Sequence, residues 1–248
     1  MSGKSTKALL TIVVPVYNEA DNIRQALDSI DRDVKYPHKI MVVYDSEEDT
    51  TVPVVRALQK EQTFPGVELD LYRNKYGRGA LNAIKTGLED ADTEYVIVTM
   101  ADLCDPPRVI NDMVEEAEAK NAVIVCGSRY MSGGSQQGGP LVKSWLSKLA
   151  GLTLCWFAGV PTHDATNSFK LYRTSFLRGE KIESSGGFEL GLELVVKAYA
   201  KKLAIAEVPT SWVDRAAGES HFKVVEWLPH YLKWYFRAYK AALCRLLD

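Results

Sequence analysis

Five short runs limit what this chain can fold into: LTIVVPV (10–16), KIMVVY (39–44), VELDLY (67–72), YVIVT (95–99) and AVIVCGS (122–128). Each has the length of a strand, and the fourth is a β-branched and aromatic run of the kind that fills a buried one. The segments between them carry apolar residues at helical spacing, with Ile23, Leu27 and Ile30 after the first run and Val52, Val55 and Leu58 after the second. A turn, RNKYGRG (73–79), leads into a helix over 80–88, and the double proline 106–107 into one that ends near Lys120. Five alternations over about 120 residues predict an α/β fold, a mostly parallel sheet with right-handed crossovers and helices on both faces.

In an open sheet of this kind, ligands bind beyond the carboxyl ends of the strands. Asp45 follows the second run, and Asp102 and Asp105 follow the fourth. A hard divalent cation such as Mg²⁺ takes one or two carboxylates and fills its other positions with water and substrate phosphate. Asp102 and Asp105 are therefore candidate ligands for a metal that serves a diphosphate-bearing donor. The competing reading makes them loop and helix-capping residues ahead of Pro106. Gly79 opens a helix after basic residues, where outward N–H groups suit phosphate. A simple tight turn fits the same residues.

With 30 basic and 32 acidic residues among 248, the net charge of −2 gives no pull toward nucleic acid. Cys104, Cys126, Cys155 and Cys244 form no CxxC pair and no cluster with His, which argues against structural zinc or a disulfide framework and fits a reducing cytosol. The N-terminal segment shows no signal-peptide pattern. No window offers about 18 uncharged apolar residues, so no spanning helix is expected.

Composition changes after Arg129. MSGGSQQGGP (131–140) reads as a polar, glycine-rich flap over the site. Residues 141–157 are expected to form an amphipathic helix, 168–172 a strand, 189–201 a helix, 204–208 a last strand and 212–221 a polar loop. The tail, 222–248, holds seven aromatics. Leu232, Phe236, Tyr239, Leu243 and Leu246 fall on one apolar stripe, and Lys233, Arg237 and Lys240 on a basic one. Such a helix either lies in a bilayer interface or packs on its own domain or a twin subunit, and the pattern allows both.

The motifs VPVYNEADNI, a strand ending at Asp45, GRGALNAIKTGL, MADLCDPP, GSRY, DATNSFKLYR and a WVDR..GES loop occur in an order that resembles the family 2 glycosyltransferases of GT-A fold. Within these the chain looks most like the dolichol-phosphate mannose synthase branch, which moves a sugar from a nucleotide donor to a polyprenyl phosphate. The resemblance implies a GT-A domain over 1–221, with a nucleotide-sugar half (9–128) and an acceptor half (129–221), followed by a helical tail (222–248). It implies that Pro15, Tyr17 and Glu19 surround base and ribose, that Asp45 helps to read the base, and that Asp102 serves the metal, Mg²⁺ or Mn²⁺, and the donor diphosphate. Gly79 belongs to the phosphate-facing turn. Arg129 and Lys170 would hold phosphates, Arg215 would close on the donor from the loop that also carries Ser220, and Lys143 with Ser147 would meet the acceptor phosphate.

This chain departs from the branch at three places. Met100 stands where the first acid of the metal motif is usual, and Cys104 where a Gln is usual, so Asp105 is expected to replace a lost ligand. A thiolate is an odd partner for Mg²⁺, and Cys104 is not expected to coordinate it. Tyr44 stands where a second acid often precedes Asp45, which leaves GDP-mannose and UDP-glucose both open as donors. Without transmembrane helices, peripheral attachment to the cytoplasmic face of a membrane would fall to 141–157 and the tail.

A phosphate monoester acceptor, with a second pKa of about 6, is already ionised at neutral pH and needs no general base. In-line attack then inverts the anomeric carbon. His163 and His221 are expected as loop hydrogen-bonders, and Asp164 as the residue that steers acceptor or sugar. Two rival readings are a transferase for a soluble acceptor, which would need a base such as Asp164 or Glu189, and a non-catalytic nucleotide-sugar-binding protein.

Overall fold

The computed structural model describes residues 8–214 and 224–247. In chain order the elements are β1 (Leu10–Pro15), α1 (Ile23–Asp33), β2 (His38–Tyr44), α2 (Thr51–Glu61), β3 (Glu68–Arg73), α3 (Ala80–Asp90), β4 (Tyr95–Val98), α4 (Val109–Lys120), β5 (Ile124–Ser128), β6 (Ser135–Gln137), α5 (Leu141–Ala158), β7 (Lys170–Arg173), α6 (Thr174–Leu177), α7 (Leu190–Ala200), β8 (Ile205–Pro209), β9 (Ser211–Val213) and α8 (Val224–Leu247).

Seven strands form one sheet in the order β3-β2-β1-β4-β7-β5-β8. Every pairing in it is parallel except those of β7, which runs antiparallel to both β4 and β5. The near-continuous apolar sequence of β1 follows from burial on both faces. Leu10, Ile12 and Val14 pack with α1, α2 and α4, whereas Val13 packs with α3, α5, α7 and α8. The carboxyl ends of the parallel strands thus share an edge, and β7, entering in the opposite sense, brings residues 164–169 to that same edge.

Two expected loops contain strands. The flap holds β6 and the loop after β8 begins with β9, and the two pair in parallel, Ser135 opposite Ser211 and Gln137 opposite Val213. The Ser-Gln-Gln side chains of β6 are too polar to mark a strand, and β9, Ser-Trp-Val, is only three residues long. The ribbon reaches the acidic corner, where the Val213 N–H donates to the Cys104 carbonyl (3.2 Å).

The tail packs on its own domain, along a seam that shares Tyr239 with the expected stripe but not Leu232, Phe236 or Leu243. Trp234 and Ala238 are buried. The Tyr235 and Tyr239 hydroxyls meet Thr153 of α5 (2.9 and 3.1 Å), and Arg237 donates to Glu183 (2.9 Å). Leu232, Phe236 and Leu243 are left on the exposed side. Flat aromatic rings and alanines let α8 lie close to α5 and α7, so they form the seam in place of the leucines.

Candidate active site

The loop after β4 turns sharply at Leu103, whose φ of 60° is left-handed. Asp102 supports the turn by accepting the Cys104 N–H on Oδ1 (3.1 Å), and its side chain remains partly exposed. Asp105 is 7% exposed, and its Oδ1 is buried without a hydrogen-bond partner. Burial pushes its pKa up to about 7, with Arg129 opposing and Asp102 and Asp164 adding to the rise. A buried carboxylate oxygen left bare is costly unless a cation or donor arrives. Asp102 and Asp105 therefore fit a hard divalent ion that draws its other ligands from water and phosphate. Among the described residues no group of three His, Cys, Asp or Glu gathers to enclose a metal.

Facing this corner, the end of β5 presents Arg129. Its Nε and Nη2 hold the Asp164 carboxylate side-on (2.7 and 2.9 Å), and Nη2 also donates to Ser147 Oγ (3.0 Å). Asp164 also accepts the Arg129 backbone N–H (3.1 Å) and is fully buried. Burial works against the Arg129 charge, but Asp164 outweighs it and the guanidinium pKa is raised. Thr166 completes the group. Its hydroxyl lies 2.6 Å from that of Ser147 and donates to Asp164 Oδ1 (3.4 Å). Thr166 was not expected from the sequence, although it lies inside the DATNSFKLYR motif.

Lys170 is wholly buried beneath this group, donating to the Asn167 carbonyl, and burial lowers its pKa. As placed, it serves as a cation under the floor of the site and does not line an open phosphate pocket. Lys143 is half-buried on α5, one turn before Ser147 on the same face. Glu189 is occupied: its carboxylate accepts the N–H groups of Ser185, Gly186 and Gly187 (3.0, 2.7 and 2.6 Å), which makes it a loop clamp. His163 bonds to Glu207 (2.5 Å), as a loop hydrogen-bonder would.

The remaining expected residues gather at the ends of β1 and β2. Pro15 closes β1, Tyr17 beyond it is 66% exposed, and the Glu19 N–H donates to Thr51 Oγ1 (2.9 Å). Asp45 accepts from Asn74 Nδ2 on one oxygen and from the Gly79 N–H on the other (both 2.8 Å). Gly79 has a φ of 117°, which a side chain would strain, so glycine is what lets its N–H reach Asp45. Asp45 thus shapes the glycine turn at the start of α3, a role not expected from the sequence, and Asn74 is its unforeseen partner. Arg215 and Ser220 lie outside the described residues.

Acids and a paired arginine thus gather at the carboxyl edge of the sheet, where an α/β fold takes its ligands. The chain belongs to glycosyl transferase family 2, whose model matches residues 11–179. It is 28% identical over 236 residues to the dolichol-phosphate mannosyltransferase of Pyrococcus furiosus, covering 91% of this chain and 64% of that protein. It is also 28% identical over 233 residues to the polyprenol monophosphomannose synthase of Mycolicibacterium smegmatis, covering 87% and 85%. The chain thus spans a little under two thirds of the Pyrococcus relative. The solved structure of the mannosyltransferase PcManGT from Pyrobaculum calidifontis, in complex with GDP-Man and Mn2+, superposes with a TM-score of 0.62 at 18% identity, covering 98% of this chain and 75% of that one. The fold is the GT-A fold that the sequence suggested.

Proposed function

We propose that the protein is an inverting hexosyltransferase that moves a sugar from a nucleotide-diphosphate donor, of GDP-mannose or UDP-glucose type, to a polyprenyl phosphate at a membrane surface. The observation that carries this is the two-sided character of α5. Its inner face supplies Ser147 to Arg129, while its outer face leaves Trp145, Trp156 and Phe157 at 70%, 64% and 73% exposure. Leu232, Phe236 and Leu243 of α8 extend the exposed apolar surface, with Lys148 and Lys240 among it. An apolar plate backed by a phosphate-binding arginine suits an acceptor with a hydrocarbon tail and an anionic head. Among the described residues no helix is long and apolar enough to cross a membrane. Free cysteines at 104, 126, 155 and 244 favour the cytoplasmic face. The relatives named for dolichol-phosphate and polyprenol substrates support the same acceptor class.

Tyr17, Glu19 and Asp45 would receive the nucleoside. Asp102 and Asp105 would hold Mg²⁺ or Mn²⁺, which supplies positive charge to the departing diphosphate. Arg129, aided by Lys143 and Ser147 from α5, would bind the acceptor phosphate and align one oxygen behind the anomeric carbon. That oxygen is already ionised, so no side chain has to remove a proton. The buried Asp164 acts through Arg129 and orients it.

Flotation with liposomes and a transfer assay with a polyprenyl phosphate test the proposal together. Binding to vesicles and product of inverted anomeric configuration are expected. Product that keeps the donor's configuration would refute in-line attack, and failure to float would remove the lipid acceptor. A thermal-shift panel of GDP and UDP with Mn²⁺ or Mg²⁺ identifies base and metal, because a ligand of the native state raises its melting point.

A further inference from the structure

The hydrogen bonds around Arg129 close on themselves. Thr166 donates to Asp164, so the short contact between the two hydroxyls has Ser147 donating to Thr166. Arg129 Nη2 donates both to Ser147 and to Asp164. A guanidinium has five N–H donors, and this ring with the Nε bond to Asp164 uses the three on Nε and Nη2. The Nη1 pair makes no hydrogen bond to the described residues, and the guanidinium carbon lies 4.9 Å from the centre of the Tyr130 ring. Chains of this kind, running from cation to carboxylate, strengthen one another in a buried setting.

Ser147 can close the ring only because of how α5 is seated. One turn further on the same face, Gly151 rests on the backbone of His163 and Asp164. A Cβ there would lie 2.2 Å from the His163 carbonyl oxygen and 3.3 Å from the Asp164 Cα. Glycine inside a helix costs about 0.5 to 1 kcal/mol relative to alanine. Here that cost is offset by an approach no other residue permits, since the obstacle is backbone and cannot swing aside.

We propose that Gly151 is a positioning residue: by seating α5 on the His163–Asp164 backbone it closes the ring of Arg129, Ser147, Thr166 and Asp164, which fixes the guanidinium with Nη1 left for the acceptor phosphate. This rests on the reading that Arg129 meets that phosphate. The helix that faces the membrane thus also sets the aim of the acceptor-binding cation.

The test is Gly151→Ala, read three ways. With lipid phosphate as acceptor at saturating donor, KM for the acceptor should rise about tenfold or more, the scale of a lost charged hydrogen bond, while the dissociation constant for the nucleoside diphosphate with Mn²⁺ stays within about twofold. The Arg129 Nε–H signal in ¹⁵N NMR should shift and exchange faster with solvent. Unchanged acceptor kinetics together with an unchanged Arg129 signal would overturn the inference, as would equal damage to donor and acceptor binding. An altered signal in a protein whose wild type transfers nothing to lipid phosphate would uphold the ring and refute the functional reading. Should Gly151→Ala fail to fold, Thr166→Val opens the ring without crowding α5, and a wild-type acceptor KM there overturns the inference.

Discussion

The two halves of the site answer buried charge in different ways. At the ends of β1 and β2, acids are met by neutral donors: Asp45 by Asn74 and the Gly79 N–H, and Asp49 by the N–H groups of Asn18 (3.1 Å) and Thr51 (2.8 Å). Past β5, charge meets charge in Arg129 with Asp164 (2.7 Å) and Lys197 with Glu193 (2.7 Å). Glu189 is the exception, held by backbone N–H groups. A carboxylate bound by turn N–H groups fixes a local loop. A buried ion pair such as Arg129–Asp164 ties distant segments together and leaves a stranded charge when one partner is lost.

The contrast is sharpest at Asp164. Asp164→Ala should destabilise the fold by about 3 to 5 kcal/mol, the scale of a broken buried pair. Denaturant unfolding measures this, and a loss under about 1 kcal/mol would show that solvent reaches Arg129 readily. Next comes Asp102→Asn. Because Asp102 is partly exposed, turnover should fall about 10² to 10³-fold with the melting temperature little changed, and full activity in the mutant would remove Asp102 from the site. Asp45→Ala should cost only about 1 to 2 kcal/mol, as for a lost cap, with a raised KM for the donor. If Asp45→Ala proved as damaging to stability as Asp164→Ala, the distinction between the halves would collapse.

The smallest effect belongs to Glu183, the anchor of α8. The hydrogen bond from Arg237 comes first, opposed by slight burial and aided by the Arg237 and Lys197 charges, and together they hold its pKa down at about 2. A depressed acid stabilises the fold above its ordinary value of 4.5 and loses that contribution as pH falls from there toward 2. Glu183 is more than a third exposed, so salt should screen most of the effect. Melting curves of wild type and Glu183→Gln should converge across that acid window, and parallel curves would show that Arg237 contributes nothing there.

The sequence made the first half legible because continuous apolar runs such as 10–15 and 95–98 leave a strand buried on both faces as the simplest reading. The limits of α5 were readable for a related reason, since its helical spacing continues without a break to Gly159. Strand direction leaves no such mark. Nothing in SFKLYR says that β7 inserts antiparallel between β4 and β5, or that Lys170 is sealed beneath the site. Likewise β6 is held to β9 by backbone bonds that the polar Ser-Gln-Gln side chains of β6 conceal. In the site, the resemblance supplied Arg129 and Ser147, and the mechanism supplied Asp164, one at a time. Thr166 emerges only when the three meet, because a hydrogen-bonded ring is a property of folded neighbours.

The central place of β7 bears on how the molecule is made. When a nascent chain has left the ribosome only as far as Ser128, β4 and β5 both exist but have no strand to join them, since Lys170–Arg173 must slot between. Synthesis has to run well into the later sequence before the earlier sheet can close. Until then two apolar edges stand open, a period in which a chaperone would find its client.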